Sequence, residues 1–275
     1  STQSCQNNQS VQNSSIAQQP IQENLAKKHI DSDKYKTHEE FVAALRSSGI
    51  ESIQCVISFD FSGSNTGNGI GGHTNLHGID YVNPYMRVIQ ILWPIVQSFD
   101  DDKTINAYRF GCAQSSDQRV VPLLKEKDTF VGLEEIMNAY TEAAKTVQLS
   151  GPTTFSHTIQ KCIELEKQAG GRQLILCVLV TDGGISDQQA DAKALEEASK
   201  YPISFVGVGV GRGGFGILEQ FDDKLKGKFD NFQFVNFNEI EQISKRHERP
   251  DLLMETALLN ELPDQYRKMK QLGYL

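Results

Sequence analysis

Apolar residues along this chain fall into short runs separated by stretches of helical spacing, and the two patterns alternate. Ile53–Phe59, Ile105–Phe110, Leu174–Val180, Ile203–Val208 and Phe232–Phe237 are the apolar runs. Such runs read as strands buried on both faces, because a strand with one wet face alternates apolar and polar residues instead. Ahead of the first, Thr37 and Glu40 form a T-x-x-E capping box, followed by Phe41, Ala44 and Leu45 at helical spacing. Pro84 suits the first turn of a helix running to about Gln97, with Trp93 in its core. Helical spacing recurs over Leu133–Val147, Phe155–Gln168, Gln188–Ser199, Glu239–Arg246 and Leu252–Asn260, the last two closing the chain. Buried strands alternating with helices predict an α/β fold: a doubly wound, mostly parallel sheet with helices on both faces.

Residues 1–32 depart from this pattern. Gln6-Asn7-Asn8-Gln9-Ser10 through Gln18-Gln19-Pro20 is polar and low in complexity, too poor in apolar groups to offset the entropy of ordering. The composition predicts a disordered tail, or a docking arm that orders on a partner, and leaves 33–275 as one domain. With 35 acidic residues against 27 basic ones, the formal charge of −8 argues against binding a phosphate backbone, so no nucleic acid partner is expected. Cys5, Cys55, Cys112, Cys162 and Cys177 form no CxxC pair, which fits a reducing compartment better than a disulfide scaffold. No apolar run has transmembrane length and no secretory signal is evident, so a cytoplasmic protein is expected.

Ligands of open α/β sheets sit beyond the carboxyl ends of the strands. The first apolar run ends in Asp60-Phe61-Ser62-Gly63-Ser64, and Leu174–Val180 ends in Thr181-Asp182-Gly183. A third loop, Ser150-Gly151-Pro152-Thr153-Thr154, lies just before a helix. Two carboxylates and several hydroxyls at one sheet edge make an all-oxygen donor set, suited to Mg²⁺ or Ca²⁺, with Mn²⁺ a further candidate, and not to zinc. An EF-hand is excluded: loop position six would be Asn65 in place of Gly, and position twelve Gly71 in place of Glu.

In order and context, Asp60, Ser62, Ser64, Thr153 and Asp182 resemble the metal-ion-dependent adhesion site of von Willebrand factor A domains. Longer strings narrow the resemblance to copines and to the plant RING-type ubiquitin ligases that share their A domain. They are Phe59–Asn65, Asn83-Pro84-Tyr85, Ser150–Thr153 and Phe229–Phe237. The approach over Phe41–Ser52 looks more like the plant ligases, and the likeness spans roughly 37–265. It implies that Ser62, Ser64 and Thr153 contact the cation while Asp60 and Asp182 hold it directly or through water. An acidic residue of a protein partner would complete the shell. Copines carry paired C2 domains, and the plant ligases a RING whose Cys and His ligands are missing from Asp264–Leu275. Neither lipid binding nor ubiquitin transfer is therefore carried over, although peripheral membrane association stays open.

Other patterns have competing readings. Gly209-Val210-Gly211-Arg212-Gly213-Gly214 spells GxGxxG, but it follows a late strand, whereas the dinucleotide fingerprint belongs to the first βαβ unit. His73 and His77, in the long loop Gly63–Asn83, are expected to pack locally in preference to ligating, and Asp100-Asp101-Asp102 to form a solvated turn. No G-x-S-x-G elbow places a nucleophile, so no enzyme activity is expected. The expectation is a metal-dependent protein-binding module. Two alternatives accompany it: a substrate-recruiting subunit of a ubiquitin-ligase complex, and a structural component of a larger assembly anchored by the tail.

Overall fold

A computed structural model describes residues 34–69 and 72–275; the tail expected over 1–32 lies outside the described residues. A seven-stranded sheet is built from β1 (Gln54–Asp60), β2 (Thr104–Phe110), β3 (Val121–Pro122), β4 (Thr129–Val131), β5 (Ile175–Thr181), β6 (Ile203–Gly209) and β7 (Phe232–Asn236). The five apolar runs are its parallel strands, in the order β2-β1-β5-β6-β7. Two- and three-residue strands β3 and β4 add antiparallel to β2, and both are too short to leave a periodic signal in sequence. The helices are α1 (His38–Ser47), α2 (Pro84–Phe99), α3 (Gly132–Thr146), α4 (Ser156–Gln168), α5 (Gln188–Ala198), α6 (Gly216–Lys224), α7 (Phe237–Ser244), α8 (Pro250–Leu258) and α9 (Leu262–Gln271). The doubly wound α/β expectation matches this architecture.

Alternation along each strand divides the core between the two faces of the sheet. Cys55, Ile57 and Phe59 of β1 join Leu176, Val178 and Val180 of β5 in a cluster covered by α1, α2, α3, α7, α8 and α9. Val56 of β1 joins Cys177 and Leu179 on the other face, under α4, α5 and α6. Trp93 is buried in α2, and Thr37 caps α1 by accepting from the Glu40 amide at 3.2 Å. The Asp100 carboxylate folds its own turn, accepting from the amides of Asp102 and Thr104.

Three features correct the sequence reading. Phe237 opens α7 and does not end β7, because the Asn236 side chain accepts from the Glu239 amide and starts the helix there. The glycine-rich turn after β6 leads into α6. The chain closes on α9, not on α8. That helix buries only Leu262, Gln265, Tyr266 and Met269 along one side of a polar segment, too thin a stripe to stand out.

Strand order decides where the chemistry lies. From β1 the chain moves outward to β2, then crosses back to place β5 on the opposite side of β1. That reversal is a topological switch point, and the crevice beyond the carboxyl ends of β1 and β5 is where such sheets bind ligands.

Candidate metal centre

Asp60 ends β1 and Asp182 follows β5, so the switch point brings the two carboxylates to one crevice. Both are buried, at 0% and 1% exposure. Each of their four oxygens accepts from a neutral donor. Asp60 Oδ1 takes the Ser62 amide at 2.8 Å, and Asp60 Oδ2 takes the Thr181 hydroxyl at 2.6 Å. Asp182 Oδ1 takes the Ser64 hydroxyl and Asp182 Oδ2 the Asn68 amide, both at 2.9 Å. The Ser62 and Ser64 hydroxyls lie 2.9 Å apart, which joins the two halves of the crevice.

Among the described residues no salt bridge reaches either carboxylate. Burial lifts the Asp60 carboxyl above its ordinary value, the Asp182 charge adds to that, and the hydrogen bonds from Thr181 and Ser62 oppose it. Burial raises Asp182 as well, against the bonds from Asn68 and Ser64. Two buried like charges without a counter-charge are costly. A cation between them supplies that counter-charge, and an all-oxygen set of carboxylates and hydroxyls fits a hard divalent ion. Among the described residues no three His, Cys, Asp or Glu side chains converge, so the hydroxyls are needed to complete any donor set here.

Thr153 reaches this sheet end on a third loop stitched to the other two. Ser150 pairs with Ser62, its carbonyl accepts from the Gly63 amide, and its own amide donates to the Phe61 carbonyl. Thr153 pairs with Ile185 beyond β5, donating its amide to the Ser186 hydroxyl at 3.1 Å and accepting from the Ser186 amide at 2.9 Å. The five sequence-predicted residues thus sit on three interlocked loops. Four are joined by hydrogen bonds among Asp60, Ser62, Ser64 and Asp182, and Thr153 is anchored through its backbone.

Several supporting residues escaped the motif reading. Thr181 stands beside Asp182 in the same Thr-Asp-Gly string, while Asn68 lies in a loop without a pattern. His77 is stacked between Phe61 and Tyr85, with ring centroids 4.2 and 4.3 Å away. Its Nε2 lies 2.9 Å from the Asp60 carbonyl oxygen and its Nδ1 2.8 Å from the Tyr140 hydroxyl. A carbonyl only accepts, so Nε2 carries the proton of a neutral ring. Burial holds this imidazole down at about 4, partly offset by the bond to Asp60. His77 therefore packs and positions the backbone of Asp60. His73 stacks on Tyr81.

The GxGxxG string is explained by close packing. A Cβ at Gly213 would lie 1.5 Å from the Asp182 carbonyl oxygen, and one at Gly211 would strike Leu76 and the Asn68 backbone. Gly213 lets the β6 turn lie directly against the loop that carries Asp182, and Gly211 against the loop that carries Asn68.

Against known proteins, the copine family model matches residues 75–275. The chain belongs to the copine family. It is 36% identical over 259 residues to the E3 ubiquitin-protein ligase RGLG5 of Arabidopsis thaliana, covering 88% of this chain and 60% of that protein. It is 35% identical over 250 residues to copine family protein 2 of Caenorhabditis elegans, covering 88% of this chain and 3% of that one. The copine-family chain thus spans less than two thirds of these relatives. A solved von Willebrand factor type A structure from Catenulispora acidiphila is similar at 17% identity and a TM-score of 0.43, covering 80% of this chain and 43% of that one. The copine-family chain is an α/β fold with its switch point between β1 and β5. Among the described residues no helix is long and apolar enough to cross a membrane.

Proposed function

We propose that this copine-family domain is a divalent-metal-dependent protein-interaction module. Asp60, Ser62, Ser64, Thr153 and Asp182 would hold the ion, Mg²⁺ or Ca²⁺ before Mn²⁺. The observation that carries the reading is the buried Asp60–Asp182 pair, crosslinked through Ser62 and Ser64 and reached by no salt bridge among the described residues. Hydroxyls are neutral ligands, so an ion bound here keeps residual positive charge and favours an acidic group from a partner. The relatives named as ubiquitin ligases support a second reading, in which the domain recruits substrate for a ligase complex.

Thr153→Val tests the first reading by separating folding from binding. Loss of one neutral ligand costs the fold on the order of 1 kcal/mol, as for a lost hydrogen bond. A misplaced ion disturbs every contact made through it. Melting temperature and affinity capture are measured for wild type, Thr153→Val and Asp60→Ala, in saturating Mg²⁺ and in chelator. The module reading predicts a small melting shift, a large loss of captured partner, and wild type in chelator behaving like the variants. Partner capture that survives both chelator and mutation overturns it. A cysteine-rich, RING-bearing protein among the captured partners favours the ligase reading.

A further inference from the structure

Beyond the metal crevice, a cavity of about 360 Å³ opens between the end of β2, the segment before β4 and the α3 C-terminus, lined by Arg109, Cys112, Gln114, Lys125, Glu142 and Val147 among others. Arg109 is 7% exposed and forms no salt bridge among the described residues. Its Nη1 donates to the carbonyls of Pro122 and Leu123, and its Nη2 to Gln114 Oε1 at 2.7 Å. Its Nε is buried without a hydrogen-bond partner. An arginine neutralised only by carbonyls leaves positive charge in a small buried space, where it favours an anion.

The thiol of Cys112 borders the same cavity. Its Sγ lies 3.2 Å from the Ser115 hydroxyl, and the residue is 1% exposed. We propose that Cys112, beside Arg109 in this cavity, is a peroxide-reactive thiol. Burial is the largest single influence and raises the thiol, but the polar groups of Ser115, Arg109 and Gln114 around it together hold it below its ordinary value. Lys125 adds positive charge to the lining and Glu142 opposes it. The thiolate is the nucleophile, so a thiol favoured as thiolate reacts first. The other described cysteines differ: burial pushes the thiols of Cys55 and Cys177 up, and Cys162 sits on the core side of α4.

The chemistry balances with a hydroperoxide as oxidant. The Cys112 sulfur attacks one peroxide oxygen, a sulfur–oxygen bond forms, and the oxygen–oxygen bond breaks. Sulfur gives up an electron pair to become a sulfenic acid. The departing oxygen takes that pair and the thiol proton, and leaves as water when the oxidant is hydrogen peroxide.

The test uses the full chain carrying Cys5→Ser, so that only the four described cysteines report. Protein is treated with hydrogen peroxide in the presence of dimedone, which traps sulfenic acids, and the adducts are located by peptide mass mapping. Adduct at Cys112 should exceed that at Cys55, Cys162 or Cys177 at least tenfold, and Arg109→Gln should lower it about tenfold. Arg109 also holds the Pro122–Leu123 backbone, so its variant could unfold. The rate of Cys112 alkylation by iodoacetamide in the Arg109-bearing protein is therefore followed against pH. A midpoint below the ordinary thiol value of 9.0 supports the assignment. A midpoint at or above it, or adduct spread evenly over the four cysteines, overturns it.

Discussion

Asp191 and the Asp60–Asp182 pair are equally hidden from solvent, yet their surroundings suit opposite ends. Asp191 reaches across from α5 and accepts three donors on one oxygen: the Thr154 hydroxyl at 2.7 Å and the amides of Phe155 and Ser156 at 2.9 and 2.8 Å. Those amides open α4, so a single carboxylate meets the positive end of a helix and also supplies its cap. Its other oxygen, Oδ2, is buried without a hydrogen-bond partner, and burial raises this carboxyl too, against the three bonds on Oδ1. Asp60 and Asp182 stand together instead, with one neutral donor on each oxygen and, among the described residues, no salt bridge to balance two charges. Burial of a carboxylate is therefore uninformative by itself. What separates the structural carboxylate from the candidate ligands here is what faces it: the opening amides of a helix for Asp191, a second carboxylate for Asp60.

The largest expected effect falls on ion binding. Isothermal titration of wild type should show one divalent-ion site, and Asp182→Ala should weaken it at least a hundredfold, or about 2.7 kcal/mol or more. Undiminished binding by that variant would put the ion elsewhere and dissolve the contrast with Asp191.

Asp191→Ala should act the other way. Removing the acceptor orphans two amides at the start of α4 and leaves the Thr154 hydroxyl only the Ser156 hydroxyl, so urea unfolding should reveal a loss of about 2–3 kcal/mol. Ion affinity of the folded variant should stay within about threefold of wild type. A parallel fall in affinity would make the two regions one coupled unit.

A third measurement isolates the packing behind Asp60. His77 is neutral and held at about 4 in the fold, against an ordinary value of 6.5. The unfolded chain therefore binds the extra proton between these values, and the stability from burying neutral His77 is lost as pH falls from 6.5 toward 4. Relative to His77→Phe, wild type should lose about 2 kcal/mol between pH 7 and pH 5, by denaturant unfolding at each pH. An unchanged difference would show that the buried imidazole titrates normally.

The smallest effect concerns the glycine turn under the site. Gly213→Ala places a methyl group against the Asp182 carbonyl, so the backbone must shift, at a cost of about 1–2 kcal/mol in unfolding experiments. It should also weaken the divalent ion severalfold, while the Asp191 cap, tested by combining Gly213→Ala with Asp191→Ala, should contribute additively. Strong non-additivity would show that the two carboxylate regions share a structural element.

Much of this was legible in the residues. The five apolar runs became the five parallel strands with ends displaced by one residue at most, because continuous hydrophobicity over a strand length is a local property. Asp60 and Asp182 could be singled out because each follows such a run. Thr181, Asn68 and Gly213 could not, since a threonine inside a strand end, an asparagine in a loop and a glycine in a turn carry no sign of what they touch. His77 was expected to pack locally, but its place between two aromatic rings, bonded to the carbonyl of Asp60, comes from a loop folding back on β1.

The amino-acid pattern alone determined the alternation of strands and helices, the α/β class and the oxygen-only chemistry of the loops. Each of these is set by neighbours within a turn or a strand length. Only the tertiary structure decided that β5 lies beside β1, so that two carboxylates 122 positions apart in the chain share one crevice and repel each other. Strand order follows from packing summed over both faces of the sheet. That sum runs over contacts distant in sequence and leaves no mark in any single segment.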